Sequence, residues 1–126
     1  MDLMNWADKD NKKFTGYIYN LLKEDLNCFE MYIKIFGATI SDFRKFELDL
    51  HFVFSNEFYK ENKKLINQCL SKIEEKIKEK LSIDSKSRRG YCQPNEVYDN
   101  KSISIYYSIT QEQYDCLFTM SKIAAN

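Results

Sequence analysis

The strongest constraint on the fold is one amphipathic segment that runs from Asn56 to Ser82 without glycine or proline. Its apolar residues recur at steps of three and four, which places them on one stripe of an α-helix. They are Phe58, Leu65, Ile66, Cys69, Leu70, Ile73, Ile77 and Leu81. Ser55 precedes the segment and can cap its first turn. The pattern predicts one long helix, and a single apolar stripe of this length requires another layer, here a sheet, to pack against.

Two segments alternate between apolar and polar residues, as half-buried strands do. Lys45–Phe54 places Phe46, Leu48, Leu50, Phe52 and Phe54 on one face and Glu47, Asp49, His51 and Val53 on the other. Residues 102–110 do the same, with Ile103, Ile105, Tyr107 and Ile109 opposite Ser104, Tyr106 and Ser108. Such alternation favours an antiparallel sheet that has one buried and one wetter face.

The remaining elements have weaker patterns. Residues 29–37 alternate and predict a strand that ends at Gly37, followed by an irregular connection. A first helix is predicted from about Asp10 to Asn27, with Asp8 or Asp10 as its cap, and Thr110–Gln113 matches a capping box that opens a last helix.

Residues 83–100 are the least regular stretch, because Gly90 and Pro94 interrupt any pattern. Val97-Tyr98 is typical of a strand end before a turn at Asp99-Asn100, and whether residues 91–98 form a strand stays open. We therefore predict a single α+β domain over residues 1–126, with three or four antiparallel strands against the long helix. The expected order is α-β-β-α-(β)-β-α.

Composition excludes several classes of protein. Nineteen basic and nineteen acidic residues rule out an acidic DNA mimic and a strongly basic nucleic-acid binder. Three glycines argue against a glycine-rich phosphate loop. The four cysteines form no C-x-x-C pair, the first residues do not resemble a signal peptide, and no apolar run could span a membrane. We expect a reduced cytoplasmic protein with no cofactor and no membrane association.

Glu47, Asp49 and His51 form the only arrangement that resembles a metal or acid–base site, since alternate strand positions share a face. The plainer alternative is a polar strand face exposed to solvent. With one histidine in the chain, we favour that alternative and predict neither a metal site nor a catalytic site.

A basic segment holds two of the three arginines side by side. Lys86, Arg88, Arg89 and Tyr91 could contact an anion or a nucleotide, because guanidinium groups bind phosphate and tyrosine stacks on bases. The alternative is an ordinary solvated loop.

Two tyrosines are expected on the wetter face of the sheet. Tyr32 and Tyr106 would lie there beside small hydroxyl residues, a composition that protein interfaces favour. The alternative is that the first or last helix covers this face and buries both rings.

From these patterns we expect a small non-enzymatic protein that binds and inhibits or neutralises a macromolecular partner, of the inhibitor or immunity type. A protein partner is favoured, and self-association through a strand edge or the long helix is open. The excess of lysine over arginine is typical of an AT-rich genome, which favours a low-GC bacterium, or a phage or other mobile element of one, as the source. The alternative function is a nucleotide or nucleic-acid binding module that uses residues 86–91.

Overall fold

The computed structural model describes residues 1–27, 29–91 and 99–124 as a sheet with helices packed on one side. In chain order its elements are β1 (Asp2–Leu3), α1 (Lys9–Leu22), a 3-10 turn (Glu30–Tyr32), β2 (Ile35–Ser41), β3 (Glu47–Ser55), α2 (Asn56–Glu61), α3 (Lys63–Leu81), β4 (Arg88–Tyr91), β5 (Asn100–Ser108) and α4 (Gln111–Ala124). None of the helices described is long and apolar enough to cross a membrane.

The sheet has five strands in the order β1-β2-β3-β5-β4. β1 runs parallel to β2, and the other neighbours are antiparallel. The α+β class is confirmed, but the prediction of three or four purely antiparallel strands was wrong. β1 has only two residues, too few to show an alternation in the sequence.

The predicted alternation of β3 and β5 is confirmed. Every second residue of β3 is buried, and Ile103, Ile105 and Tyr107 of β5 point to the same side. We call this side the inner face. The opposite side, which carries Thr39, Asp49, His51, Ser104 and Tyr106, is called the outer face.

The core lies on the inner face, under α1 and α3. Phe14, Ile18 and Leu22 of α1 join the α3 stripe and the inner strand residues in one cluster of buried side chains. The α3 stripe consists of Ile66, Leu70, Ile73 and Ile77. Each such side chain stabilises the fold by about 1.5 to 3 kcal/mol relative to full exposure, so this cluster fixes which face of the sheet is dry.

The single long helix was a wrong prediction, because Asn62 divides it into α2 and α3. Asn62 leaves the helical region, with φ −130° and ψ 30°, and its side-chain amide donates to the carbonyl of Phe58 at 3.1 Å. An asparagine side chain competes in this way with the regular helical bonds. The cap at Ser55 is confirmed, since its hydroxyl accepts from the N–H of Phe58 at 3.1 Å.

The strand predicted at residues 29–37 begins later in the chain. Residues 29–33 form tight turns in which Phe29 and Ile33 are buried and Met31 is 77% exposed, and β2 then runs from Ile35 to Ser41 through the predicted connection. Phe29 and Ile33 are four residues apart, a spacing that fits one face of a helical turn. The same residues also fit the alternation of a strand, so the sequence pattern did not distinguish the two. Tyr32 is therefore not on the sheet, and its ring stacks on Phe58 at 4.8 Å.

The ends of the other helices agree in part with the sequence. Asp8, one of the two predicted caps, caps α1, but α1 ends at Leu22 rather than Asn27. Thr110 and Gln113 form the predicted capping box, with reciprocal hydrogen bonds of 2.9 and 3.0 Å. The strand end predicted at Val97-Tyr98 lies outside the described residues.

Thr15 connects α1 to β2 at Ala38, a residue of the strand edge that β1 does not pair with. Its hydroxyl donates to the carbonyl of Ala38 and accepts from the N–H of the same residue, both at 3.0 Å. It also accepts from Nε1 of Trp6 at 2.8 Å. One buried hydroxyl thus satisfies two backbone groups of a strand edge, which would otherwise remain unpaired.

We expect Thr15→Val to lower the free energy of unfolding by about 2 to 3 kcal/mol, because the shape is kept while Ala38 and Trp6 lose their partner. Urea denaturation measures the change. Thr119→Val, at an exposed position of α4, is the matched control and should change stability by less than about 0.5 kcal/mol. Equal losses in the two variants would contradict this role of the hydroxyl.

Candidate functional site

The outer face is the candidate site because the helices bury their apolar residues on the other side. The core includes Phe14 and Ile18 of α1 and Leu117 of α4. Neither helix therefore covers the outer face, which was the alternative left open by the sequence. Met4 packs on Gly37 and Trp6 lies edge-on to His51, with ring centroids 5.9 Å apart, so that both cover the β2 side of the outer face. Among the described residues, the rest of this face carries polar and aromatic side chains that are mostly half-buried, and Ser104 is 9% exposed.

His51 occupies the middle of the outer face and is bonded at both ring nitrogens. Nε2 lies 3.1 Å from the hydroxyl of Thr39 on β2, and Nδ1 lies 3.1 Å from the hydroxyl of Ser104 on β5. Burial lowers the pKa of His51 below its ordinary value of 6.5. A neutral imidazole donates at one nitrogen and accepts at the other, and hydroxyl groups can complement either choice. The ring therefore links three neighbouring strands.

This arrangement differs from a serine–histidine–carboxylate triad. In that triad a carboxylate orients the second nitrogen of the imidazole, whereas here the second nitrogen meets the hydroxyl of Thr39. Ser104 is also only 9% exposed. The contacts of His51 are those of a structural bridge.

Glu47 and Asp49 form a carboxyl pair at one end of the outer face. Glu47 accepts from Lys45 at 3.0 Å and from Arg88 at 3.1 Å. Burial works to raise the pKa of Glu47, but hydrogen bonds from Asp49 and Lys45 and the charges of Lys45 and Arg88 outweigh it, so this pKa is lowered.

Asp49 behaves in the opposite way. Its Oδ1 is buried and has no hydrogen-bond partner among the described residues. Burial first, and then the hydrogen bond to Glu47 and its negative charge, raise the pKa of Asp49 to about 7. The pair therefore shares a proton up to neutral pH. Within the residues described, no group of three His, Cys, Asp or Glu side chains is placed to hold a metal ion.

Tyr106 is on the outer face, as the sequence predicted, and its ring lies over Gly90 of β4. A Cβ atom at Gly90 would be 2.7 Å from Cε2 of Tyr106, so the ring could not lie there above any other residue. The guanidinium of Arg88 lies 5.9 Å from the centre of the same ring and reaches on to Glu47. Arg88 thus crosses β5 and connects the edge strand β4 to β3.

Arg89 points to the inner face, because adjacent strand residues alternate. It forms an ion pair with Glu74 and donates to Asn67 Oδ1 at 3.2 Å and to Ser71 Oγ at 2.8 Å, all on α3. The two arginines therefore hold β4 from opposite sides, one against α3 and one against β3.

The residues predicted as an anion site do not form one surface. Arg88 to Tyr91 form strand β4 rather than the predicted loop, and the guanidinium of Arg89 is occupied by α3. Lys86 is exposed before the strand, and Tyr91 is half exposed beside the ammonium of Lys101, 5.7 Å from the ring centre. Their part in binding stays a prediction.

Sequence reasoning missed two contributors to the outer face. Thr39 fell in a predicted irregular connection, and Trp6 lies in an N-terminal stretch that has no periodicity. Only the pairing of Thr39 with Asp49 in the β2–β3 ladder places its hydroxyl beside His51.

Comparisons with protein-family models, with curated proteins and with solved structures found no match to this chain. The function is therefore inferred from the chemistry of the outer face alone.

We expect the two neighbouring arginines to differ in their contribution to stability. Arg89→Ala should lower the free energy of unfolding by about 1.5 to 3 kcal/mol, because partly buried partners on α3 lose their donor. Arg88→Ala should cost less than about 1 kcal/mol, since its side chain is 56% exposed and its ion pair is screened. Urea denaturation of both variants checks the order, and the reverse order would contradict the assignment of Arg89 as the stronger attachment.

We also expect Asp49→Asn to change the pH dependence of stability. The folded protein holds the Asp49 proton up to about pH 7, while the ordinary pKa is 3.8. The contribution of the Asp49 carboxyl group to the free energy of unfolding is thus fully present below pH 3.8, the ordinary pKa, which also holds in the unfolded chain. This contribution is lost as the pH rises to about 7, the pKa in the folded protein. Asparagine cannot lose a proton, so the variant should gain stability relative to the wild type by about 1 to 2 kcal/mol between pH 5 and 8, after allowance for solvent screening.

The measurement is a set of urea denaturations at several pH values for both proteins. Both carry His51, so the difference between them isolates Asp49, and the lowered pKa of Glu47 acts below this pH range. Asp84→Asn, at an exposed position, is the control and should keep the wild-type pH profile. A difference between Asp49→Asn and the wild type that is independent of pH would rule out the shared proton.

Proposed function

We propose that this chain is a small binding protein, of the inhibitor or immunity type, that docks a protein partner on its outer face and carries out no catalysis. The observation that supports this most is the division of the sheet. The helices bury its inner face, while its outer face carries the half-buried ring of Tyr106 and the exposed side chain of Arg88 beside hydroxyl groups that are bonded to His51. Tyrosine and arginine are among the residues that contribute most to binding energy at protein interfaces.

The side chains of the outer face are already held in place, which favours binding. His51 is fixed by two hydroxyls, and Arg88 is fixed by Glu47 and the ring of Tyr106. Ordering a flexible side chain on binding costs about 0.5 to 1.5 kcal/mol. A face whose side chains are ordered before the partner arrives avoids much of that cost.

The charges favour a protein over a nucleic acid. Lys45 and Arg88 lie beside Glu47 and Asp49, so both signs occur within one cluster. Nucleic-acid binding depends on cations that can neutralise phosphates, and the cations of this cluster already have a carboxylate partner. Mixed charges around aromatic and hydroxyl groups are typical of the rim and centre of protein interfaces.

The test begins by incubating a tagged copy of this chain with nuclease-treated lysate of its native host. Any protein retained in a stoichiometric amount is then purified, and its affinity is measured for designed variants. Tyr106→Ala should weaken binding at least about tenfold, as loss of a central aromatic residue does. Tyr59→Ala is the matched control, because Tyr59 lies on α2, next to Lys63 and Lys101 rather than on the outer face.

Equal affinity of the Tyr106→Ala variant and the wild type would show that the partner uses another surface. Retention of no protein, together with a nucleotide whose binding weakens steeply with salt, would instead favour the alternative function of residues 86–91.

A further inference from the structure

The turn between β2 and β3 displays an aromatic side chain in water. Phe43 is 74% exposed, the most exposed aromatic residue among those described. Leaving a phenylalanine side chain exposed forgoes about 1.5 to 3 kcal/mol of burial energy. The neighbouring guanidinium of Arg44 lies 5.3 Å from the ring centre, so the ring and the cation are presented together.

This turn is held in a defined shape. The N–H of Phe43 donates to Ser41 Oγ at 3.2 Å, and the N–H of Lys45 donates to the Phe43 carbonyl at 2.8 Å. Arg44 has φ 65°, in the left-handed region that residues other than glycine rarely adopt, and such strained residues cluster at functional sites. At the base of the turn, Phe46 packs on Tyr114 with ring centroids 5.4 Å apart.

A groove of about 160 Å³ lies beside this turn, between α1 and α4. Phe14, Ile40, Tyr114 and Phe118 supply its apolar walls. A cavity of about 150 Å³ is large enough to hold benzene, so the groove has room for a phenyl ring. Both the groove and the turn are close to Tyr114, which lines the groove and contacts Phe46.

The charges around the groove complement those of the turn. Asp8 and Asp10 lie at the α1 end of the groove, and Lys13 and Lys122 also line it. The turn also carries both signs, with Asp42 before Phe43 and Arg44 after it. The groove therefore offers lysines to Asp42, apolar walls to the ring of Phe43 and carboxylates to Arg44.

We propose that the groove between α1 and α4 receives Phe43 of a second copy of this chain. The ring cannot be the occupant of its own groove, because it is 74% exposed. Since the turn and the groove are neighbours on one surface, a two-fold axis near Tyr114 allows each copy to insert its ring into the other. In this dimer Arg44 faces Asp8 and Asp10 of the second copy, and Asp42 faces Lys13 or Lys122.

The proposal goes beyond docking of a different protein on the outer face, because it uses the β2–β3 turn and the α1–α4 groove. Two reciprocal aromatic contacts make a small interface, so the dimer should form at concentrations of about 10 to 500 µM rather than below.

Sedimentation velocity of the full chain from about 1 µM to about 1 mM tests the proposal. The wild type should move from the monomer mass of 15.1 kDa towards twice that mass as concentration rises. Phe43→Ala should reduce the association constant at least about tenfold. Met31→Ala is the matched control, since Met31 is 77% exposed and belongs to the 3-10 turn, and it should leave association unchanged.

A charge exchange tests the position of the ring. Arg44→Asp and Asp10→Arg should each weaken association, and the double variant should recover it, a result that misfolding cannot produce. A wild type that stays monomeric at the highest concentration overturns the proposal, as does Phe43→Ala that associates like the wild type. Failure of the double variant to recover association overturns the placement of Phe43 in this groove.

Discussion

The burial of alternate residues of β3 is the constraint on which the rest of the structure depends. β3 pairs with β2 on one side and β5 on the other, and Leu48, Leu50, Phe52 and Phe54 are fully buried along it. Because the side-chain period of a strand is two, a shift of one residue would exchange these four with Glu47, Asp49, His51 and Val53. Burying two carboxylates and an imidazole under α3 would cost several kcal/mol for each unpaired charge. The register of the sheet and the position of the outer face follow from this penalty.

The outer face shows how polar groups on a half-buried surface are satisfied. His51 bonds to hydroxyls from both neighbouring strands, and Glu47 has two cations. Asp49 is the exception, with one buried oxygen unpaired within the described part of the chain and a raised pKa. A carboxyl group that retains its proton avoids most of the cost of burying a charge. With Asp49 protonated, Glu47 is the ionised carboxylate of this cluster, and Lys45 and Arg88 both pair with it.

Several predictions from the sequence failed where two local patterns compete. Residues 29–33 fit both a strand and a helical turn, and the hydrogen bond from the N–H of Glu30 to the carbonyl of Leu26 belongs to the turn. The stripe from Asn56 to Ser82 is continuous in sequence, yet the side chain of Asn62 bonds to its own helix and ends α2. The adjacent arginines suggested a phosphate site because their partners were unknown. Glu74 lies fifteen residues away from Arg89 and Glu47 lies forty-one residues away from Arg88, so only the folded chain brings these charges together.

The sequence by itself determined the α+β class, the inward and outward sides of β3 and β5, the cap at Ser55 and the capping box at Thr110–Gln113. These features depend on residues at most a few positions apart, whose spacing matches the periods of strands and helices. Tertiary structure alone decided that β1 joins the sheet and where β2 begins and ends. It also decided the bridge from Thr39 through His51 to Ser104, and the contacts by which Arg88 and Arg89 hold β4. Each of these needs partners from distant parts of the chain, and strand order and ladder register determine which distant residues meet.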